Sequence, residues 1–348
     1  MLQEELKAAG AVFDESAPGR EALHFGDAQG EYEALHSQAG LVDFSSRTRI
    51  EFRGDDRASF LHNLCTNEVR KLAPGAGCEA FIADARGHLV GHVFIFCRPA
   101  SLLLETVPGE EEKLLAHFDR YLIREKVELS GRTADEAEFL LAGPQAAELL
   151  AALVAAELPS QRLASVETEL AGCRALIARV DWTRAGGFLA ICGQSDAVAV
   201  WQALRRAGAR PCGQQAWQTA RIEAGLPIYR ADLSEKNLPQ EAGRDALAIS
   251  FVKGCYLGQE TVARIDALGH VNKSLVGLRF ADSRVPEPGL ELSADGQAAG
   301  QVTSACFSPQ FGCPLALGFV RRGLSEPGTR LETPLGAAEV INLPQTAS

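Results

Sequence analysis

One pattern of strands and helices occurs twice in this chain, and it limits the possible folds more than any other feature. In the first copy, residues 48–54 alternate apolar and polar side chains as a strand does, and residues 55–64 carry apolar side chains at helical spacing. About ninety residues later, residues 138–143 lead through Pro144 into the helix-like segment 145–154. Proline is tolerated at a helix start because its missing N–H would have no helical partner there.

The second half of the pattern is also duplicated. A strand at residues 102–107 leads through Gly109 into a helix at 110–123, and a strand at 188–192 leads through Gly193 into a helix at 196–207. Two further strands, 78–84 and 89–97, are joined by a glycine-bearing turn typical of a hairpin. We therefore predict two related α+β units that pack together.

The last part of the chain has a different pattern. Short strand-like runs are separated by Asp295-Gly296, Pro327-Gly328 and Leu335-Gly336, which are turn sequences. They predict a small antiparallel β-barrel that covers a site rather than hosting chemistry. The six runs are residues 274–280, 290–293, 299–307, 315–321, 330–332 and 337–342. The predicted domains are residues 1–134, 135–270 and 271–348.

Charge and cysteine usage narrow the class of protein. The formal net charge of −11 disfavours a nucleic-acid partner or an anionic membrane surface. The first residues lack the apolar core of a signal peptide, and no apolar run approaches the 18 or so residues of a membrane span. Nine scattered cysteines, none spaced C-x-x-C, predict a reducing cytosol, without a disulfide framework or a zinc site.

The stretch of residues 253–265, KGCYLGQETVARI, concentrates reactive chemistry. Cys255 stands two residues after Lys253 and just before a predicted helix that begins near Gly258. Both an ammonium group and a helix N-terminus favour a thiolate, so this thiol is a candidate reactive centre. The alternative is a half-buried structural cysteine in a strand-to-helix turn.

Residues 253–260, KGCYLGQE, resemble the K-G-C-[FY]-x-G-Q-E signature of the YgfZ family, folate-binding proteins related to the glycine cleavage T-protein. Segments 221–227, 237–241 and 269–273 support the resemblance, which extends over nearly the whole chain. It implies three domains in a cloverleaf around a central pocket, the first two interleaved in sequence. The implied cofactor is tetrahydrofolate or a one-carbon derivative, with Cys255 as the catalytic thiol.

The resemblance also implies a set of folate-binding residues. Arg221 matches an arginine that meets the glutamyl tail of folate, and Glu223 would share its face of a strand; a structural Arg–Glu pair is the alternative. Trp217 matches a tryptophan associated with folate, and core packing is its alternative. Asn67 would close the first helix and contact folate, or serve only as a helix C-cap. The signature residues Lys253, Tyr256 and Gln259 complete the set.

Two departures from the aminomethyltransferases bear on function. Val90 and Gly91 stand where those enzymes carry a paired Asp-Asp that includes the catalytic carboxylate, and segment 181–188 lacks the glutamate that helps hold the pterin.

His88 and His92, four residues apart on a strand, are too few for a metal site and are interpreted as ordinary surface or hairpin residues.

The resemblance therefore favours a cytoplasmic tetrahydrofolate-binding protein that supports assembly or repair of iron–sulfur clusters. Its expected partners are folate and iron–sulfur enzymes or cluster-assembly proteins, with an indirect effect on tRNA modification. One alternative is a folate-dependent aminomethyltransferase or demethylase; another is a folate-free scaffold. An active aminomethyltransferase is disfavoured because the acids are missing.

Overall fold

The computed structural model describes residues 2–13 and 21–343. Within these ranges no helix has the length and apolar character needed to cross a membrane. Short 3-10 helices cover Gln194–Asp196 and Pro239–Ala242. The α-helices are α1 Leu2–Ala8, α2 Ala28–Ser37, α3 Arg57–His62, α4 Glu111–Asp119, α5 Ala146–Ala151, α6 Ala197–Arg206, α7 Gln214–Glu223, α8 Asp245–Ala248 and α9 Gln259–Leu268.

The strands form three larger sheets and one small hairpin sheet, β1–β2, near the N-terminus. They are β1 Val12–Phe13, β2 Ala22–His24, β3 Gly40–Asp43, β4 Thr48–Arg53, β5 Gly77–Ala83, β6 Leu89–Cys97, β7 Ser101–Thr106, β8 Glu128–Gly131, β9 Glu136–Ala142, β10 Ser165–Leu170, β11 Cys173–Val180, β12 Gly187–Gly193, β13 Arg210–Pro211, β14 Lys273–Phe280, β15 Glu291–Ala294, β16 Gln297–Ser308, β17 Cys313–Arg321, β18 Arg330–Thr333 and β19 Gly336–Ile341.

The predicted duplication is confirmed by these elements. The first copy runs β4, α3, β5, β6, β7, α4, and the second runs β9, α5, β10, β11, β12, α6. The first sheet has the strand order β5-β6-β7-β4-β8, and the second has the order β10-β11-β12-β9-β3-β13. In each sheet the first strand of the copy pairs antiparallel with its last strand, β4 with β7 and β9 with β12.

The two units exchange a strand with each other. Strand β3 precedes the first copy in the chain but pairs with β9 of the second sheet. Strand β8 precedes the second copy but pairs with β4 of the first sheet. The fold class, two interleaved α+β units, is therefore confirmed, whereas the limits 1–134, 135–270 and 271–348 stay a prediction.

Side-chain alternation explains why the two sheets face each other. Along β6, Phe94 and Phe96 join one apolar cluster, whereas Val93 and Ile95 point to the opposite face and join another. Because side chains of a strand alternate between the faces of its sheet, a strand buried on both faces reads as continuously apolar. The cluster that contains Phe94 includes residues of both sheets and forms the core between the units.

The C-terminal strands close into the predicted barrel. Its order is β14-β17-β16-β15-β18-β19, and antiparallel pairing of β14 with β19 closes it. All six predicted runs contribute a strand. Leu315 and Leu317 of β17 pack against Ile222 of α7, which joins the barrel to the end of the second unit.

Candidate functional site

The segment of residues 249–258, here named the Cys255 loop, is held at its base by a buried lysine. Lys253 Nζ donates hydrogen bonds to the carbonyl oxygens of His62 (2.6 Å), Cys65 (2.7 Å) and Asn67 (2.7 Å), and it lies 4.8 Å from the centre of the Tyr256 ring. Burial lowers the pKa of Lys253 from its ordinary value. All three N–H donors thus bind backbone carbonyls, a structural role that the sequence did not predict.

The thiol itself is accessible. Cys255 is exposed, whereas the eight other cysteines, all within residues 21–343, are buried or half-buried. Gly258 has φ 81° and lies directly before α9, so the predicted helix start is confirmed. A Cβ atom at Gly258 would lie 2.5 Å from the Asp84 carbonyl oxygen, which ties the loop closely to the β5–β6 turn.

Other backbone contacts fix the loop, yet its tip stays apolar and open. The Ser250 N–H donates to the Thr66 carbonyl (2.9 Å), and the Leu257 N–H donates to the Asn63 carbonyl (2.9 Å). Between these anchors, Phe251 is 46% exposed and Val252 is 97% exposed. The loop therefore presents a thiol and two apolar side chains from a fixed base. The influence of Lys253 on the thiolate and a folate contact by Gln259, the first residue of α9, stay predictions.

Asn67 joins three parts of the chain. Its Nδ2 donates to the carbonyls of Glu79 (2.8 Å) and Leu247 (2.9 Å), and its Oδ1 accepts from the Glu68 N–H (2.8 Å). The C-cap interpretation is wrong because α3 ends at His62 and its C-cap is Asn63. The amide instead holds β5 to the segment before the Cys255 loop.

Arg221 lies on helix α7, so the prediction of a strand here is wrong. The alternation Arg-Ile-Glu also occurs in the last turn of a helix, and Gly225 (φ 68°) stands just after it, where a helix often ends. Arg221 is 1% exposed and donates to Gln218 Oε1 (2.7 Å), Asp232 Oδ2 (2.6 Å), the Leu226 carbonyl (3.2 Å) and barrel residue Ser304 Oγ (2.7 Å).

Glu223, two residues later, is equally engaged. Its carboxylate accepts hydrogen bonds from Tyr32 Oη (2.9 Å) and Ser308 Oγ and contacts His36 Nε2 at 2.6 Å. We name Arg221, Glu223 and these contacts the α7 hub. It joins α2, α7 and the barrel. Within it, side chains of the protein already bind Arg221 and Glu223 at most of the positions where a ligand would otherwise bind them.

Trp217 lies one turn earlier on α7, within an aromatic cluster of the core between the sheets. Its ring centre is 5.1 Å from that of Phe44 and 6.3 Å from that of Trp182. Trp217 is 1% exposed, so it packs in the core as the alternative predicted; its contact with folate stays a prediction.

A cluster of buried charges, the central seam, lies beside these rings, and the sequence analysis missed it. The Arg47 guanidinium lies 4.8 Å from the Trp182 ring centre and binds Glu105 of β7. Arg49 Nη1 of β4 donates to Glu138 Oε2 of β9 (2.9 Å), so the seam joins the two sheets. Burial, with the nearby Glu105 charge, raises the pKa of Glu138 to about 8.

Four atoms of the seam have no hydrogen-bond partner among residues 2–13 and 21–343. They are Arg49 Nε, Glu105 Oε2, Glu138 Oε1 and Trp182 Nε1. Unpaired buried polar atoms are costly and call for an explanation such as water or a ligand. A signal was present in the sequence, because each glutamate interrupts an apolar strand at a core-facing position.

A second buried network surrounds Glu79 of β5. It is bound by Arg244 Nη2 (2.7 Å), by Arg162 and by His92, whose Nε2 lies 2.7 Å from Glu79 Oε1. Burial alone would raise the pKa of Glu79, but the charge and hydrogen bonds of Arg244 and the contact with His92 together outweigh it and hold that pKa well below its usual range. The interpretation of His92 as a surface residue is wrong, since it is 4% exposed and points into the core; the side chain of His88 is 42% exposed, at the β5–β6 turn.

The β5–β6 hairpin carries no acid at the two positions singled out in the sequence. The Val90 carbonyl accepts from Lys113 Nζ (2.7 Å), and Gly91 packs against Leu114 of α4. In the described part of the chain, no group of three or more His, Cys, Asp or Glu residues is arranged to hold a metal ion.

Comparison with known families gives a match over almost the whole chain. Residues 2–252 match the GCVT N-terminal domain, and residues 273–344 match the glycine cleavage T-protein C-terminal barrel domain. The interval between the two matches, residues 253–272, contains Cys255, the last part of its loop and helix α9.

Curated relatives are named aminomethyltransferase. The protein of Rubrobacter xylanophilus is 32% identical over 92% of this chain and 86% of its own length. That of Saccharopolyspora erythraea is 30% identical over 99% of this chain and 96% of its own length. The crystal structure of glycine cleavage system aminomethyltransferase T from Bartonella henselae superimposes with a TM-score of 0.90 and 23% identity, over 99% of this chain and 97% of that one, which supports the fold.

Proposed function

Because the chain belongs to the glycine cleavage T-protein family, we propose that it binds tetrahydrofolate or a one-carbon derivative and acts through Cys255. The proposed role of this thiol is to support assembly or repair of iron–sulfur clusters, with an indirect effect on tRNA modification. The observation that carries the proposal is the exposed Cys255 on a loop with a fixed base, within a YgfZ-like KGCYLGQE segment.

The central seam supports folate as the ligand. A pterin ring presents amino and ring N–H donors, and the unpaired Glu105 Oε2 and Glu138 Oε1 are acceptors beside the aromatic rings of Trp182 and Phe44. The carboxylates and rings therefore fit such a group chemically. When bound, folate would supply a carrier for one-carbon groups, while this chain would orient the ring and exclude water.

The predicted folate-binding residues fall into two groups, one around α7 and one at the Cys255 loop. Trp217 contributes an aromatic face next to Phe44, and Arg221 and Glu223 join α7 to its neighbours. Asn67 and Lys253 fix the Cys255 loop, with Tyr256 packed against the lysine. We propose that the two groups meet at one ligand, the tail of folate reaching towards Arg221.

The names of the relatives favour a second candidate, folate-dependent aminomethyl transfer, over the iron–sulfur role. Against it stand Val90 and Gly91, which lack the acids of the aminomethyltransferases. The two candidates share folate but differ in the group that does the chemistry, a thiol in one and a carboxylate in the other.

Three experiments test the two candidates and the alternative of a folate-free scaffold. Tetrahydrofolate at one hundred times its dissociation constant should stabilise the protein by about 2.7 kcal/mol, visible as a thermal shift; no shift would favour a folate-free scaffold. Cys255→Ala should abolish complementation of a strain deficient in a cluster-maintenance factor, whereas the control Cys313→Ala should complement. Full complementation by Cys255→Ala, or turnover of an aminomethylated lipoyl carrier by the purified protein, would overturn the proposed role of the thiol.

A further inference from the structure

A groove of about 660 Å³ lies between the two sheets, apart from the Cys255 loop and the α7 hub but next to the central seam, because its Glu136 lies 3.7 Å from Arg49. The first sheet contributes Arg53, from the end of β4, and Arg98, from just after β6; the second sheet contributes most of the rest. Arg98 Nε donates to Glu167 Oε1 of β10 (2.6 Å), so the walls are connected across the groove. Its volume is within the range of small-molecule sites.

The charges that line the groove are balanced. A ligand with one sign of charge would therefore meet repulsion as well as attraction, whereas a ligand with both signs would meet complementary groups on each wall. The four arginines are Arg53, Arg98, Arg132 and Arg174, and the four acids are Glu136, Glu167, Glu169 and Asp196.

One deeply buried carboxylate of the groove is incompletely paired. Glu136 is 8% exposed, and its Oε2 has no hydrogen-bond partner among the described residues. Arg49 Nε lies 3.7 Å from Glu136 Oε2, and Arg132 Nε lies 3.7 Å from Glu136 Oε1, both beyond hydrogen-bond distance. Burial raises the pKa of Glu136 despite these two arginines. The carboxylate can therefore accept a hydrogen bond from a cationic donor.

An arginine on the outer part of the groove is also available. Arg174 is exposed and makes no side-chain hydrogen bond or ion pair within the described ranges. The other arginines are engaged: Arg53 with Glu51, Arg98 with Glu167, and Arg132 with Asp135. A guanidinium binds a carboxylate through two parallel hydrogen bonds, so Arg174 suits an anionic group.

We propose that this groove binds a small zwitterion of the amino-acid class, with its ammonium group at Glu136 and its carboxylate at Arg174. The proposal does not require that folate binds, although Glu136 neighbours Arg49 of the central seam. The occupant of the groove lies against both sheets, so binding would stabilise their packing.

The test is isothermal titration calorimetry of the full-length protein, without folate, with each free L-amino acid. Acetate and methylamine serve as probes that carry a single charge. We expect saturable binding of at least one amino acid and none of acetate or methylamine. Absence of binding up to about 10 mM for every amino acid, or equal binding of acetate, would overturn the proposal.

Variants test the assignment of the residues. Arg174→Ala should weaken the binding at least tenfold, because a charge-assisted hydrogen bond is lost, and so should Glu136→Gln. The matched control Arg322→Ala, an exposed arginine on the barrel, should bind as the parent does. Unchanged affinity in both Arg174→Ala and Glu136→Gln would overturn the proposal. Arg174→Ala removes no side-chain hydrogen bond or ion pair between described residues, so a loss of binding would not reflect a lost contact of that kind.

Discussion

The α7 hub and the Cys255 loop both place a buried cation at a residue that the sequence marks as functional, yet they use it differently. In the hub, Arg221 pairs with the buried carboxylate of Asp232 and reaches the barrel through Ser304. In the loop, Lys253 binds three backbone carbonyls and has no carboxylate partner among the residues that the structure describes. The hub thus holds domains together, whereas the loop lysine holds a short segment that exposes Cys255.

This difference predicts that the replacements that lower the free energy of unfolding most are not the replacements that impair function most. Replacements in the hub should cost the most folding free energy, and replacement of the exposed thiol should cost the least. The following experiments test that order.

The largest expected effect is that of Arg221→Met. It leaves the buried Asp232 carboxylate without its cation, and loss of one partner of a buried ion pair costs about 3–5 kcal/mol. Urea unfolding followed by circular dichroism measures the change. Arg205→Met on α6, an exposed arginine, is the control and should change the free energy of unfolding by less than about 0.5 kcal/mol. Parent-like stability combined with lost folate binding would instead make Arg221 a ligand residue.

An intermediate effect is expected for Lys253→Met. Three carbonyl oxygens lose a charged donor, and one hydrogen bond to a charged group contributes about 1.5–3 kcal/mol, part of which water recovers. We expect a loss of about 2–3 kcal/mol and faster hydrogen exchange across residues 249–258. Lys71→Met is the control, because Lys71 is exposed and its contact with Glu68 is 3.9 Å long. If exchange in the loop stayed slow, the lysine would not be its anchor.

The smallest effect on stability is expected for Cys255→Ala, below about 0.5 kcal/mol, because its side chain is exposed. Cys255 should, however, differ strongly in thiol reactivity from the buried Cys306. In the hub, burial and the Glu223 charge raise the pKa of Cys306 to about 12. Since the thiolate is the nucleophile and forms as pH rises through the pKa, Cys306 should resist modification until pH approaches 12 or the protein unfolds.

Site-resolved mass spectrometry after iodoacetamide treatment from pH 6 to 9 would check this contrast. Cys255, whose side chain is exposed, should be modified in the folded protein, and Cys306 should not. If iodoacetamide modified Cys306 at the same rate as Cys255, the result would contradict the buried position of Cys306 in the structure.

Much of the fold could be predicted because its signals are local. The duplicated strand–helix pattern, the six barrel strands and the start of α9 after Gly258 all depend on periodicity and turn residues within a few positions of one another. The resemblance in residues 253–260 likewise depends on consecutive side chains. These predictions are confirmed as regards fold.

The contacts that define the site could not be predicted in the same way, because the partners lie far apart in sequence. Lys253 binds carbonyls of residues 62–67, and Arg49 binds Glu138 across the two sheets. His92 was interpreted as a surface residue because nothing near it in the chain reveals Glu79 as its partner. Only the charges within apolar strands, such as Glu105 and Glu138, gave a local signal.

The exchange of β3 and β8 between the sheets has a consequence for how the chain acquires its structure during translation. Strand β3 leaves the ribosome about a hundred residues before its neighbour β9, so the N-terminal segment has no sheet to join for most of that interval. The first sheet is complete within residues 48–131, whereas the second sheet needs β3, which the chain places before the first copy. A gene fragment that encodes only the second half would therefore yield a sheet with an exposed edge, prone to pair with another chain.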